Sequence, residues 1–138
     1  MTFKFQVTQE LAGERVANLF VSFVEGSYSP WLAKVAKLAG TYTKPEDEKG
    51  YPWYSHGAFF EAEDFSIEFR YYAAEQDDWD NEKPKGRKVV GRAEVLAGLQ
   101  ALATKYPRHM SDILNENDDA LTADLFAQCI IFGEEIYC

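Results

Sequence analysis

Cysteine is almost missing from this 138-residue chain: there are two, Cys129 and Cys138. Two are too few for a disulfide framework, and Cys129, set in an apolar stretch, is expected to act as a small buried hydrophobe. Histidine is as scarce, with His56 and His109 alone. His56 follows Ser55, but a hydrolytic triad is defined by spatial geometry and not by adjacency. His109, in Pro-Arg-His at a helix start, reads as a capping or surface residue. There is no glycine-rich phosphate loop, no dinucleotide fingerprint and no Asp-x-Asp-x-Asp-Gly calcium spacing. No catalytic residue, cofactor or metal is therefore expected. Long apolar runs are missing too. Nothing approaches the ~20 residues of a membrane span, and residues 1–25 lack a basic segment followed by an unbroken apolar run. A cytosolic chain with no membrane partner is the expectation. Cations are few, with 14 Lys and Arg against 23 Asp and Glu and a net charge of −9. Phosphate neutralisation needs Lys and Arg, so direct nucleic-acid binding is not expected. The acidic balance serves solubility, or lets the surface mimic a nucleic acid in a basic groove of another protein.

What the chain does have is apolar and aromatic: 46% hydrophobic and 15% aromatic residues. That composition argues against disorder, and the length suits a single domain over 1–138 with a real core. The stretch from Tyr106 to Cys138 organises the rest. Thr122 to Phe132 carries Leu125, Phe126, Cys129, Ile130 and Phe132, apolar round most of a helix and hence a buried one. Gly133 suits the left-handed position that closes it. Asp118, Asp119 and Thr122 suit its N-terminus. Asp124 on this apolar helix needs a partner if buried, such as Arg70, Arg92 or a backbone amide.

Elsewhere the pattern predicts a strand at 3–7 from the alternation Phe-Lys-Phe-Gln-Val. Thr8 is expected to cap a helix of about sixteen residues with Ala12, Val16, Leu19, Phe20 and Phe23 inward, ended by Gly26. Ser29-Pro30-Trp31 reads as the start of a second helix, with Trp31, Leu32, Val35 and Leu38 inward and Gly40 as its stop. After a long connection at 41–57, strands are expected at 58–62 and 65–72, the latter with Phe65, Ile67, Phe69 and Tyr71 on one face. A polar loop, Glu75 to Lys85, leads to a closing strand at 87–90. A helix at 93–104 puts Val95, Leu96, Leu99, Leu102 and Ala103 on its core face, and Pro107 opens the next. The fold class is α+β, four to five helices on a small antiparallel sheet.

Aromatics rooted among charges are the most distinctive feature. Tyr42, Tyr51, Trp53 and Tyr54 lie in the first long loop with Glu46, Asp47 and Glu48, and Trp79 in the second with Asp77, Asp78 and Asp80. Aromatics in such settings are typical of interface hot spots, and they also stack on nucleobases. The acidic neighbours favour a basic protein partner. Lys83, Lys85, Arg87, Lys88 and Arg92, on the other arm of the predicted hairpin, keep a phosphate-bearing ligand open as the alternative.

Two stretches carry a resemblance. One is Glu25-Gly26-Ser27-Tyr28-Ser29-Pro30-Trp31. The other is a tail pattern matched by Tyr106, Pro107, His109, Asp119, Ala120, Thr122, Ala123, Asp124, Gln128, Phe132, Gly133, Glu134 and Tyr137. Together they resemble a family of small accessory proteins of tailed bacteriophages and prophages, with the middle of the chain, about 40–90, matching poorly. The resemblance implies a host-cytoplasmic setting and, by analogy, a non-enzymatic inhibitor of host defence. An anti-CRISPR protein, docked on a basic effector through Tyr42, Tyr51, Trp53, Tyr54, Asp77, Asp78, Trp79 and Asp80, is the leading expectation. A sponge for nucleotide signals using Arg87 or Arg92 is the alternative, and a small hydrolase or modifying enzyme is the third.

Overall fold

The computed structural model describes residues 1–44, 50–72, 83–84 and 86–137. The acidic loop positions Asp77, Asp78, Trp79 and Asp80, the run Glu46 to Glu48, Lys85 and Cys138 lie outside these residues. The described chain forms five helices and one three-stranded antiparallel sheet, an α+β domain. The helices are α1 (Gly13–Glu25), α2 (Gly57–Glu61), α3 (Arg92–Lys105), α4 (Pro107–Leu114) and α5 (Ala120–Phe132). The strands are β1 (Leu32–Ala39), β2 (Ser66–Tyr71) and β3 (Gly86–Val90), in the order β1-β2-β3.

The core is built around α5. Its residues from Leu125 to Ile131 are all buried, because a helix apolar on every side has no face to offer water. Asp119 accepts the Thr122 amide at 2.9 Å to cap the helix, and Gly133 closes it at φ 78. Asp118 instead takes Arg15 at 3.0 Å. That guanidinium also reaches the Ile113 carbonyl and Glu116, tying α1 to the α4–α5 turn. Phe20 of α1 sits at the centre, with ring centroids 4.7 Å from Phe23, 4.6 Å from Phe60 and 6.1 Å from Phe69 and Phe126. Each such aromatic contributes on the order of 1.5–3 kcal/mol through burial. Cys129 is buried among them as expected, and burial pushes its thiol up to about 11.

Four sequence expectations are corrected. Residues 3–7 form no strand; Phe3, Phe5 and Val7 are exposed, because alternation makes a strand only where a neighbour supplies hydrogen bonds, and among the described residues β1 and β3 pair with β2 alone. Thr8 caps nothing. The first helix begins at Gly13 behind an exposed Ala12 that makes no side-chain cap, since Gln9 and Glu10 have no apolar face to bury. It starts where it crosses α2: a Cβ on Gly13 would lie 2.4 Å from the Gly57 carbonyl, and one on Gly57 2.7 Å from the Glu14 amide. The strand expected at 58–62 is absent: residues 58–61 belong to helix α2 and Ala62 caps it, because Phe59 and Phe60 are both buried and adjacent strand residues would face opposite ways.

The fourth correction is the largest. Residues 32–39 are strand β1, not a helix, and Leu38 is 48% exposed. The spacing of Leu32 and Val35 is helical, but the strand's pairing with β2 shifts register between Leu32 and Lys34 and again between Lys37 and Ala39. Such bulges re-aim side chains so that a spacing of three can serve one face of a sheet. The β2–β3 hairpin stands as expected, pairing Ile67 with Val90 and Phe69 with Lys88. On its other face Glu68 is buried between Arg70 and Arg87, and the Arg87 and Arg70 guanidiniums hold its carboxyl below the usual range. The α3 and α4 helices also fall where periodicity and Pro107 place them, although Leu96, expected inward, is 56% exposed.

Candidate functional site

The aromatic residues of the first long loop do not hang free. A 3-10 turn, Trp53–Ser55, leads into α2, and the rings pack on the core it opens. Trp53 lies 4.8 Å from Phe59 and 5.4 Å from Tyr54, centroid to centroid. Tyr42 reaches Phe59 at 6.3 Å, and its hydroxyl is 3.2 Å from His56 Nδ1. The Tyr54 hydroxyl donates to Glu25 at the end of α1 at 2.8 Å; burial, then that carboxylate, pushes its pKa up to about 12. Tyr51 stands at the edge, 64% exposed. The structure thus brings Tyr42, Trp53 and Tyr54 into one packed shelf with Tyr51 beside it in sequence. Asp77, Asp78, Trp79 and Asp80 are not among the described residues.

A second site emerges where the turn at 26–31 meets α5 and the tail. Ser29 Oγ donates to Asp124 Oδ1 at 2.6 Å and Trp31 Nε1 to the same oxygen at 2.8 Å. Gln128 Nε2 donates to Asp124 Oδ2 at 2.8 Å and to the Tyr137 carbonyl at 3.1 Å. Gln128 Oε1 in turn accepts the amides of Ile136 and Tyr137, at 2.7 and 2.8 Å. One fully buried amide therefore uses both donor hydrogens and both acceptor lone pairs to fold the tail back over α5. Trp31 and Tyr137 stack at 5.1 Å with planes 6° apart, and the Tyr137 hydroxyl donates to the Tyr72 carbonyl.

Sequence reasoning found Asp124 but named the wrong partners. Its donors are a hydroxyl, an indole and a carboxamide; neither Arg70 nor Arg92 reaches it. Gln128 and Ser29 were missed. The available signal was the spacing of Asp124 and Gln128, four apart on one face of an otherwise apolar helix. The two stretches that carry the sequence resemblance, 25–31 and 106–137, meet here.

Above this clamp opens a cavity of about 470 Å³, lined by Tyr28, Trp31, Asp124, Leu125, Glu135 and Tyr137 among others, with His109 on its wall. The His109 Nδ1 lies 2.9 Å from Thr122 Oγ1. Ser29 donates directly to the carboxylate with no histidine between them. Among the described residues no group of three or more His, Cys, Asp or Glu is arranged to hold a metal ion, and no helix is long and apolar enough to cross a membrane. No family model, curated protein or solved structure matches the chain.

Proposed function

We propose that this chain is a non-enzymatic binding protein that docks an acidic, aromatic surface on a basic protein. The shelf of Tyr42, Tyr51, Trp53 and Tyr54 supplies the anchors, together with Asp77, Asp78, Trp79 and Asp80 of the second loop. In the setting implied by the resemblance, the partner is a host-defence effector of the CRISPR type. One observation carries the reading: Trp53 and Tyr54 are held by packing on Phe59 and by the Glu25 carboxylate, with exposed Tyr51 next to them. Rigid aromatics of this kind lose little side-chain entropy on binding, which is what makes aromatic anchors effective. The net charge of −9 then favours encounter with a basic partner and repels nucleic acid.

The test is binding of the tagged chain to a purified basic effector complex at low and high salt. Wild type is expected to bind at low salt and release at high salt, with Tyr51→Ala and Trp79→Ala each weakening binding. Tyr51 is the better probe, since its exposure leaves the fold intact. Retention that ignores salt and survives both substitutions would sink the proposed surface.

A further inference from the structure

The cavity over Asp124 takes no part in the aromatic shelf. We propose that it is a binding site for an organic cation of the guanidinium or alkylammonium class, with the head of an arginine side chain as the reference ligand.

Charge is the first support. Asp124 accepts three hydrogen bonds, all from neutral groups, and no salt bridge to it forms among the described residues. A carboxylate offers about four lone-pair directions, so three donors leave one open and its charge uncompensated. A half-buried carboxylate without a counter-ion gains strongly from a cation that arrives already partly desolvated. Glu135 adds a second carboxylate to the lining. Among the described residues no lysine or arginine lines the cavity, so a phosphate would meet the repulsion of Asp124 and Glu135 there.

The second support is aromatic surface. Tyr28, 55% exposed, and the half-buried Tyr137, backed by the buried Trp31 on which it stacks, wall the cavity. A planar cation lying on such rings is attracted by their negative faces, and guanidinium stacks better than ammonium. The third is rigidity. Gln128 fixes both Asp124 and the backbone of the tail, so the walls stand in place before a ligand arrives. At about 470 Å³ the cavity also falls in the ordinary range for small-ligand sites.

The cation could be a free small molecule or an arginine presented by a protein; in the second case the inference rests on the docking function proposed above. Calorimetric titration of the full chain separates these sources, using ethylguanidinium, an arginine-containing peptide and, as an anionic control, adenosine monophosphate. Saturable binding of ethylguanidinium upholds a site for free cations, and saturable binding of the peptide alone upholds a protein-borne arginine. Glu135→Gln and Tyr28→Ala, both exposed side chains, should each weaken binding by about tenfold with an unchanged melting temperature. Asp124→Asn should abolish binding, but it also disturbs the Gln128 clamp, so the two exposed variants carry the decision. No saturable binding of either cation, equal affinity in both exposed variants, or tighter binding of the nucleotide overturns the proposal. Tyr51→Ala should leave cation binding intact. An effector that binds both Tyr51→Ala and Trp79→Ala regardless of salt while the cavity titrates normally would refute the shelf and spare the cavity.

Discussion

Gln128 and Cys129 are neighbours in the same buried helix and carry opposite kinds of information. Gln128 makes four hydrogen bonds with no exposure, and three of them hold the tail backbone. Gln128→Leu keeps the volume but removes the four bonds to the Ile136 and Tyr137 amides, the Tyr137 carbonyl and Asp124. Each buried group left unpaired costs about 1–3 kcal/mol, with part recovered as the tail swings into water. A net loss of at least about 2 kcal/mol in chemical denaturation, with earlier proteolysis after residue 132, is expected. A variant as stable as wild type would show that the tail needs no clamp. Cys129 is different, because its thiol gains nothing from ionising: burial holds it near 11, against about 8.5 in an open chain. In a Cys138→Ser background the native protein should therefore resist thiol reagents at pH 8 and react only when unfolded. The same shift makes the folded state weaken as pH rises from about 8.5 towards 11, since only the open chain ionises freely in that window. Rapid labelling of the native thiol at pH 8 would contradict this burial. At this scale the sequence was half legible. An aspartate in an apolar helix announces a need for partners, but Ser29 and Trp31 lie 95 and 93 positions away, beyond any local pattern.

Helices and strands divide by whether their cause is local. In α3, α4, α5 and the β2–β3 hairpin, apolar period, Pro107 and Gly133 place the elements where they form, with Leu96 of α3 the residue that the period turned the wrong way. By contrast β1, α2 and residues 1–12 depend on partners: β1 is drawn into the sheet by β2, while the first residues find no strand to join. Propensity is a weak prior beside such tertiary demands. Gly98 makes the same point inside a helix. Alanine there should help α3 by about 0.5–1 kcal/mol on propensity alone. Yet the added Cβ would stand 2.8 Å from the Ile130 Cα, on the backbone of α5 where it cannot yield. Overpacking of this kind costs about 1–3 kcal/mol, so Gly98→Ala should lower the melting temperature. Deleting residues 2–9 should do almost nothing, changing stability by less than about 0.5 kcal/mol, because those side chains are exposed. A large loss on that truncation would mean that Phe3, Phe5 and Val7 cover something.

Charge acts on the molecule as a whole, and it pulls stability and association in opposite directions. At pH 7 a net charge of −9 stresses the compact state by self-repulsion. Lowering the pH towards the isoelectric point near 4.7 relieves that stress. Further acidification removes specific contacts. Glu68 is held low by Arg87 and then Arg70, Asp119 by the Thr122 amide, and Asp64 by its hydrogen bond to Thr41. Each is depressed in the folded state, so its contribution is complete above the ordinary carboxylate range of about 4 and is lost as pH falls through its lowered value. Stability should therefore peak near pH 5 and fall steeply below about pH 4. Salt separates the two roles of the charge. At pH 7, added sodium chloride should raise the melting temperature by screening repulsion, and near the isoelectric point it should have little effect. The same addition should slow association with a basic partner, because steering fades as the screening length shrinks. Melting curves and association rates measured on one salt series should thus move in opposite senses at pH 7. If salt leaves association untouched while it stabilises the fold, the acidic surface serves solubility and the partner must be held by the aromatic shelf and the cavity alone.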